Sequence, residues 1–167
     1  MNSSLARLST LLALVPSLAL ATEKPVGKAG VPKVVLQTAK TSYPNGKVIE
    51  TVMENEGTRK IYEVRLQDGA ARVDLKIDAS GKLVAQEHLV DLKAVPVAVI
   101  NGALAPPYQD WKVQRVEKVD NLETPAQSGY EVLIEQAGTK RELLLTAVGA
   151  LLKQEDDDKQ EDAVDHK

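Results

Sequence analysis

Residues 62–87 read YEVRLQDGAARVDLKIDASGKLVAQE, and this stretch decides the fold. Apolar and polar side chains alternate on both sides of an Asp68-Gly69 turn, so every second residue shares a face, as in β-strands with one buried side. The apolar set is Tyr62, Val64, Leu66, Val73, Leu75 and Ile77, and the polar set is Glu63, Arg65, Gln67, Arg72, Asp74, Lys76 and Asp78. The pattern predicts an antiparallel sheet that is buried on one face and solvent-exposed on the other.

Further elements are predicted on either side of this hairpin. Lys47–Glu54 fits an earlier strand, and a Ser-Gly turn at 80–81 leads into a later strand at Lys82–Glu87. Pro32 suits the first turn of a helix, because a missing N–H costs nothing there. Apolar residues follow it at helical spacing, and Pro44 ends the helix. The order is therefore one helix followed by four strands.

The same order of signals recurs in the second half of the chain. The matched stretches are Val31-Pro32 with Val95-Pro96, Tyr43 with Tyr108, Tyr62-Glu63-Val64 with Tyr130-Glu131-Val132, and residues 81–87 with 149–155. The spacing widens before Tyr130, which places a short insertion at Asn121–Gly129. The duplication predicts an α+β protein of two tandem repeats, each one helix packed on a four-stranded antiparallel sheet. The repeats are assigned to residues 31–88 and 95–155, with a linker at 89–94.

The N-terminal residues 1–21 are typical of a secretory signal peptide. Arg7 precedes the mainly apolar run Leu8–Leu20, and Ala19-Leu20-Ala21 offers a small-x-small cleavage pattern. The run is too short to span a bilayer, which needs about 20 apolar residues. We expect cleavage after Ala21 and a periplasmic or secreted protein, with an uncleaved N-terminal helix as the alternative. Residues 22–30 are predicted to form a flexible leader.

Charge and composition exclude several classes of protein. The chain has 167 residues, a net charge of −3 and no cysteine, so disulfides and thiol nucleophiles are excluded. The acidic balance argues against nucleic-acid binding. Acidic residues crowd the C-terminus, at Glu155, Asp156, Asp157, Asp158, Glu161, Asp162 and Asp165. Residues 156–167 are predicted to be a disordered acidic tail, with weak calcium binding or docking to a basic partner as alternatives.

No constellation of catalytic residues is found in the sequence. The two histidines are His88, near the predicted linker, and His166, in the tail, and neither lies in a nucleophile motif. Glycine-rich phosphate-binding motifs are absent from the sequence. His88 with Glu87 and Asp91 offers metal-ligand atoms, but such a cluster is typical of an ordinary solvated surface. We therefore predict no enzyme activity, no cofactor and no metal site.

The chain resembles the PepSY-like family in its tandem, beta-lactamase-inhibitor-like form. The resemblance rests on the order Val-Pro, helix, Tyr-Pro, strand, Tyr-Glu-Val, Asp-Gly and then Leu75–Val84, and it covers residues 31–155. The second copy departs from the pattern, with Thr146 at the position of Asp78 and Pro106-Pro107-Tyr108 in place of Tyr-Pro. The resemblance implies an exported, non-enzymatic module whose relatives bind or inhibit other exported proteins.

Two functions remain open from the sequence. The first is an exported protein-binding module, such as an inhibitor or regulator of an unknown exported protein. We predict that it binds no nucleic acid and has no transmembrane segment. Its candidate contact residues are Glu63, Arg65, Arg72, Asp74, Lys76, Trp111, Leu133 and Leu144. Leu133 and Leu144 replace outward-facing charges in the second copy, so either the copies or a partner would pack there. The second function is binding of a small ligand or a divalent cation in the groove between the repeats or at the acidic tail.

Overall fold

The computed structural model of the protein describes residues 24–156, which form nine strands and two α-helices. The predicted signal peptide and residues 157–167 of the predicted tail lie outside the described residues. The strands are β1 (Lys24–Pro25), β2 (Lys47–Glu56), β3 (Arg59–Asp68), β4 (Ala71–Asp78), β5 (Leu83–Leu89), β6 (Lys112–Asn121), β7 (Gly129–Gln136), β8 (Thr139–Leu145) and β9 (Leu151–Asp156). The helices are α1 (Lys33–Ser42) and α2 (Val97–Ala103).

All nine strands belong to one antiparallel sheet in which each strand pairs with the next along the chain. The two halves of the molecule are joined by β5 and β6, whose residues Ala85–Leu89 pair with 117–121. The prediction of two tandem units, each with its own four-stranded sheet, is therefore wrong. Strand edges present unpaired N–H and C=O groups, and pairing β5 with β6 satisfies both edges at once.

Both helices pack on the same face of this sheet. Val35 and Ala39 of α1 pack on the apolar side chains of β3 and β4. These are the side chains that the alternating pattern predicted to be buried. In the second half, Val99 and Ala103 of α2 pack on the corresponding side chains of β6, β7 and β8. His88 of β5 pairs with Lys118 of β6 on this face, so the face is continuous between the two halves. The two core clusters thus lie side by side under separate helices.

Tight turns seat the helices against the sheet. Gly81 in the β4–β5 turn and Gly149 in the β8–β9 turn have φ angles of 90° and 81°, which glycine adopts without strain. The Gly149 backbone also lies close to Gly102 of α2. A Cβ added to Gly102 would fall 2.1 Å from the carbonyl oxygen of Gly149. Small residues at both positions are required for this contact.

The first strand comes from the segment predicted as a leader. Lys24 and Pro25 pair with Met53 and Val52 of β2, and the Val26 N–H donates to the Thr51 carbonyl. Part of residues 22–30 is therefore hydrogen-bonded to the edge of the sheet. Among the described residues, no helix is long and apolar enough to cross a membrane.

Candidate functional site

The sheet face opposite the helices is dominated by charged side chains, and we refer to it as the charged face. Its members, taken strand by strand from the pairing register, are Glu50, Val52, Glu54, Ile61, Glu63, Arg65, Arg72, Asp74, Lys76, Ala85, Glu87, Arg115, Glu117, Val119, Glu131, Leu133, Glu142, Leu144, Lys153 and Glu155. Carboxylates outnumber cations in this set. Both α-helices pack on the opposite face of the sheet.

Many of these charges are buried, which the sequence did not predict. Asp74 and Glu117 are each only 2% exposed, and Glu54, Glu63 and Glu87 are also buried. The prediction of a solvent-exposed polar face around Glu63 and Asp74 is therefore wrong. Arginine and lysine side chains from neighbouring strands lie over the carboxylates and shield them from water. Buried carboxylates are tolerated when they are paired in this way.

Arg65 neutralises the carboxylates of the first half. Its Nε donates to Asp74 Oδ2 at 3.0 Å, its Nη2 donates to Glu63 Oε1 at 2.6 Å, and its Nη1 contacts Glu50. Burial alone would lower the pKa of Arg65, but Glu63 and Asp74 outweigh it and raise that pKa. Arg65 therefore stays charged and fixes three carboxylates on three adjacent strands.

The junction between the halves carries a second group of ion pairs. The Arg72 Nη2 atom lies 2.9 Å from Asp74 Oδ2 and 3.6 Å from Glu117 Oε1. The Lys76 Nζ atom lies 3.0 Å from Glu87 Oε1, and Glu87 raises the pKa of Lys76 well above its usual range. These contacts extend across β4, β5 and β6, so the charged face is continuous over the junction.

Three carboxylates at this junction have the spacing of a metal site. Ligand atoms of Asp74, Glu87 and Glu117 lie within 4.8 Å of one another. Each carboxylate already contacts a cation of the chain, since Asp74 binds Arg65, Glu87 binds Lys76 and Glu117 contacts Arg115 at 3.0 Å. A divalent ion would have to displace these cations, so the chemistry of the donor set favours an internal ion-pair network over a metal centre.

The second half of the charged face arranges its charges differently. Arg115 lies on β6, and its Nη2 reaches across β7 to Glu142 Oε1 at 3.1 Å. The register places Glu50, Arg65 and Asp74 in one row of the first half and Arg115, Leu133 and Glu142 in the matching row of the second. The central arginine is thus replaced by leucine, and the edge glutamate is replaced by arginine.

Glu131 takes the place that Glu63 has in the first half. Glu63 pairs across the strands with Lys76, whereas Glu131 pairs with Leu144 and with Glu117. No ion pair to a cation within 4.0 Å is found for Glu131 in the described chain. Burial, then Glu87 and Glu142, raise the pKa of Glu131 well above its usual range, and Lys76 opposes them only in part. Glu131 is therefore a half-buried carboxyl group that forms no ion pair with a cation of the described chain.

The structure brings most of the predicted contact residues onto one face. Glu63, Arg65, Arg72, Asp74, Lys76, Leu133 and Leu144 all belong to the charged face. Trp111 does not, because it packs with the α2 core cluster, where its ring lies 5.2 Å from that of Tyr108. His88 and Glu87 are consecutive strand residues and point to opposite faces, so the considered metal cluster around His88 is not formed.

Sequence analysis missed several members of the charged face. They are Glu50, Glu54, Glu87, Arg115, Glu117, Glu131 and Glu142. A signal for them was present, since alternation in β7 and β8 places Glu131 and Glu142 beside the two predicted leucines. The participation of β5 and β6 required the strand order at the junction, which alternation alone does not give.

A family model matches the chain twice, over residues 20–85 and 84–153. The matched family is described as beta-lactamase-inhibitor-like, PepSY-like. The two matches cover most of the sequence, so this chain belongs to that family, which confirms the resemblance found in the sequence. No curated protein matches the chain.

Three solved structures with a similar fold come from species of Bacteroides. A BLIP-like protein from Bacteroides fragilis is 21% identical, with 81% of this chain and 93% of that chain covered and a TM-score of 0.55. A candidate periplasmic protein from Bacteroides eggerthii is 21% identical, covering 75% and 88% with a TM-score of 0.58. A DUF2874 family protein from Bacteroides uniformis is 22% identical, covering 75% and 89% with a TM-score of 0.58. These similarities establish the fold.

Proposed function

We propose that the protein is a non-catalytic binding module of the exported space that captures another exported protein on its charged face. The observation that carries the proposal is the charged face itself, a sheet surface on the side opposite both α-helices. The exported location is supported by the predicted signal peptide and by the description of a similar structure as periplasmic.

The ion pairs of the charged face support a binding role. Arg65, Arg72 and Arg115 are held by carboxylates on neighbouring strands, so their side chains are already ordered before a partner arrives. A surface ordered in advance loses little conformational entropy on binding. Leu133 and Leu144 add half-buried apolar area among these charges, as in protein interfaces with an apolar centre and a polar surround.

A role as an inhibitor or regulator is the narrower form of this proposal. It is supported by the beta-lactamase-inhibitor-like description of the family and not by any identified target. The charged face carries no aromatic side chain, and the binding energy of tight interfaces comes largely from Tyr, Trp and Arg. We therefore propose an affinity governed by charge, which falls as salt concentration rises.

The test compares capture by two matched double variants of the tagged mature chain. Leu133→Asn with Leu144→Asn alters the charged face, whereas Val97→Asn with Val148→Asn makes the same chemical change on the helix side, where these valines are 73% and 80% exposed. Exported proteins bound by the wild type are quantified by mass spectrometry. We expect the first variant to lose a specific partner and the second to retain it. Equal capture by both variants would exclude the charged face as the binding surface.

A further inference from the structure

We infer that Glu131, with Leu133 and Leu144, forms the position at which an arginine side chain of the protein partner docks. This inference rests on the proposed function and specifies its chemistry. The first half of the molecule provides the template, because there the matching carboxylate of Glu63 is bound by Arg65 at 2.6 Å. The second half keeps the carboxylate but has leucine in place of that arginine, and its own Arg115, on β6, binds Glu117 and Glu142 instead.

The register makes the correspondence explicit. Glu63 has Lys76 directly opposite on β4, and Arg65 lies two residues further along β3. The same two positions around Glu131 hold Leu144 on β8 and Leu133 on β7. Two cations of the first half are thus exchanged for two leucines, while the acid between them is retained.

The charges around Glu131 do not compensate for this loss. Arg115 forms ion pairs with Glu117 and Glu142, at 3.0 and 3.1 Å, and Glu131 adds to the raised pKa of Arg115 only from beyond ion-pair distance. The Lys76 ammonium group is bound by Glu87 at 3.0 Å. Glu131 therefore has no ion pair of its own among the described residues, on a face whose carboxylates already outnumber its cations, and its charged form is disfavoured in the free chain. A positively charged side chain from outside is the complement of this position.

Arginine fits the surroundings better than a small cation does. Leu133 and Leu144 flank Glu131, so the aliphatic part of an arginine side chain would cover apolar surface while its guanidinium group donates to the carboxylate. A guanidinium group is also less strongly hydrated than an ammonium group, which reduces the cost of binding at a half-buried position. The ligand is therefore an arginine presented by a protein.

The burial of Glu131 is consistent with a binding position that costs stability in the free protein. Desolvation and the neighbouring acids raise the pKa of Glu131, which means that the folded chain disfavours its charged form. A guanidinium ligand would reverse that effect by favouring the carboxylate. Residues that lower stability and serve binding are common at functional sites.

The experiment uses a blocked pentapeptide with one central arginine among alanines, titrated into the isotopically labelled mature chain. Binding is followed by the methyl resonances of Leu133 and Leu144, and the control peptide carries citrulline, a neutral isostere of arginine. We expect saturable shifts with the arginine peptide and none with the citrulline peptide. Glu131→Gln should weaken binding about tenfold, the size expected for a charge-assisted hydrogen bond.

Two further variants make the result decisive. Glu56→Gln removes an exposed carboxylate at the end of β2 and should leave peptide binding unchanged. Leu144→Lys introduces the lysine of the first half beside Glu131 and should abolish binding, because the site is then filled from within the chain. Unchanged binding by Glu131→Gln, equal binding of both peptides, or no saturable shift in the wild type would each overturn the inference. The proposed function is judged separately, by capture of the exported protein with the asparagine variants.

Discussion

The first half of the charged face is neutralised by its own cations, whereas the second half replaces two of those cations with leucine. Arg65 binds three carboxylates in the first half, and its counterpart Leu133 binds none. The helix side shows no such difference, since Val64 and Val132 are equally buried at matching positions. The two halves thus share a core and differ at the surface. The difference in charge is therefore confined to the side of the sheet opposite the helices.

The largest effect is expected where the halves are alike. Val64→Asp and Val132→Asp each place an unpaired carboxylate in a core cluster, at a cost of several kcal/mol. Both variants should be unfolded in circular dichroism and elute early in size-exclusion chromatography. Survival of one variant with a native spectrum would show that the two cores are not equivalent.

The next effect concerns the arginine that distinguishes the halves. Arg65→Leu gives the first half the side chain that the second half has, and it leaves Glu63 and Asp74 without their main cation. Removal of one partner from buried ion pairs costs about 3 kcal/mol. Urea denaturation measures the loss.

Leu133→Arg is the reciprocal change, because it places in the second half the side chain that Arg65 has in the first. We expect little net change in the free energy of unfolding, because the new guanidinium group gains Glu131 and Glu142 but lies directly opposite Arg115, which already binds Glu142. A loss of stability as large as that of Arg65→Leu would show that the correspondence between the halves fails at this row.

A smaller effect of opposite sign is expected from the two matching glutamates. Glu131→Gln should stabilise the fold at neutral pH by about 1 kcal/mol, a typical size for a single substitution. Glu63→Gln should destabilise it, because Glu63 is bound by Arg65. Thermal unfolding of both variants at pH 7 distinguishes these outcomes, and the same sign for both would contradict the assignment of Glu131.

The pH dependence of stability follows from the raised pKa of Glu131. The folded state then holds a proton at pH values where the unfolded state has released it, so this group favours folding at low pH. That contribution is lost as the pH rises from the ordinary glutamate range through the raised pKa. Denaturation curves of Glu131→Gln should lack this decline, and a decline as steep as that of the wild type would assign it to another group.

The smallest effect is expected at an exposed contact between the halves. Glu123 accepts from Arg59 at 2.9 Å and from Lys82 at 2.7 Å, and all three lie at the surface. Exposed ion pairs add little to stability because water and salt screen them. Glu123→Ala should leave the unfolding midpoint unchanged in thermal scans at physiological salt. A clear decrease would show that the β6–β7 loop holds the halves together.

Alternation in the sequence predicted the buried side of the sheet correctly. The period of two placed Val64, Leu75 and Val132 in the core, and proline positions located both helices. The four strands predicted for the first half also agree with β2 to β5 within a few residues. Local patterns carry this information because each strand turns one face to the core.

The burial of the charged face was not predictable in the same way. A polar residue in an alternating strand is normally solvated, and Asp74 becomes buried only because Arg65 and Arg72 from adjacent positions lie over it. That arrangement depends on register between strands, which a single sequence does not specify. The single sheet was missed for the same reason, since pairing of β5 with β6 is a contact between segments with no shared local signal.

The short strand β1 has a consequence for how the molecule behaves at high concentration. It pairs with Val52 and Met53 of β2, at the place where β5 pairs with β6 in the second half. Without it, β9 of one molecule would find on the next molecule's β2 the same docking edge that β5 finds on β6. Head-to-tail addition of this kind forms open fibres unless its rotation closes a ring. The strand β1, whose Pro25 has no N–H group to donate, covers part of this edge and so opposes such addition.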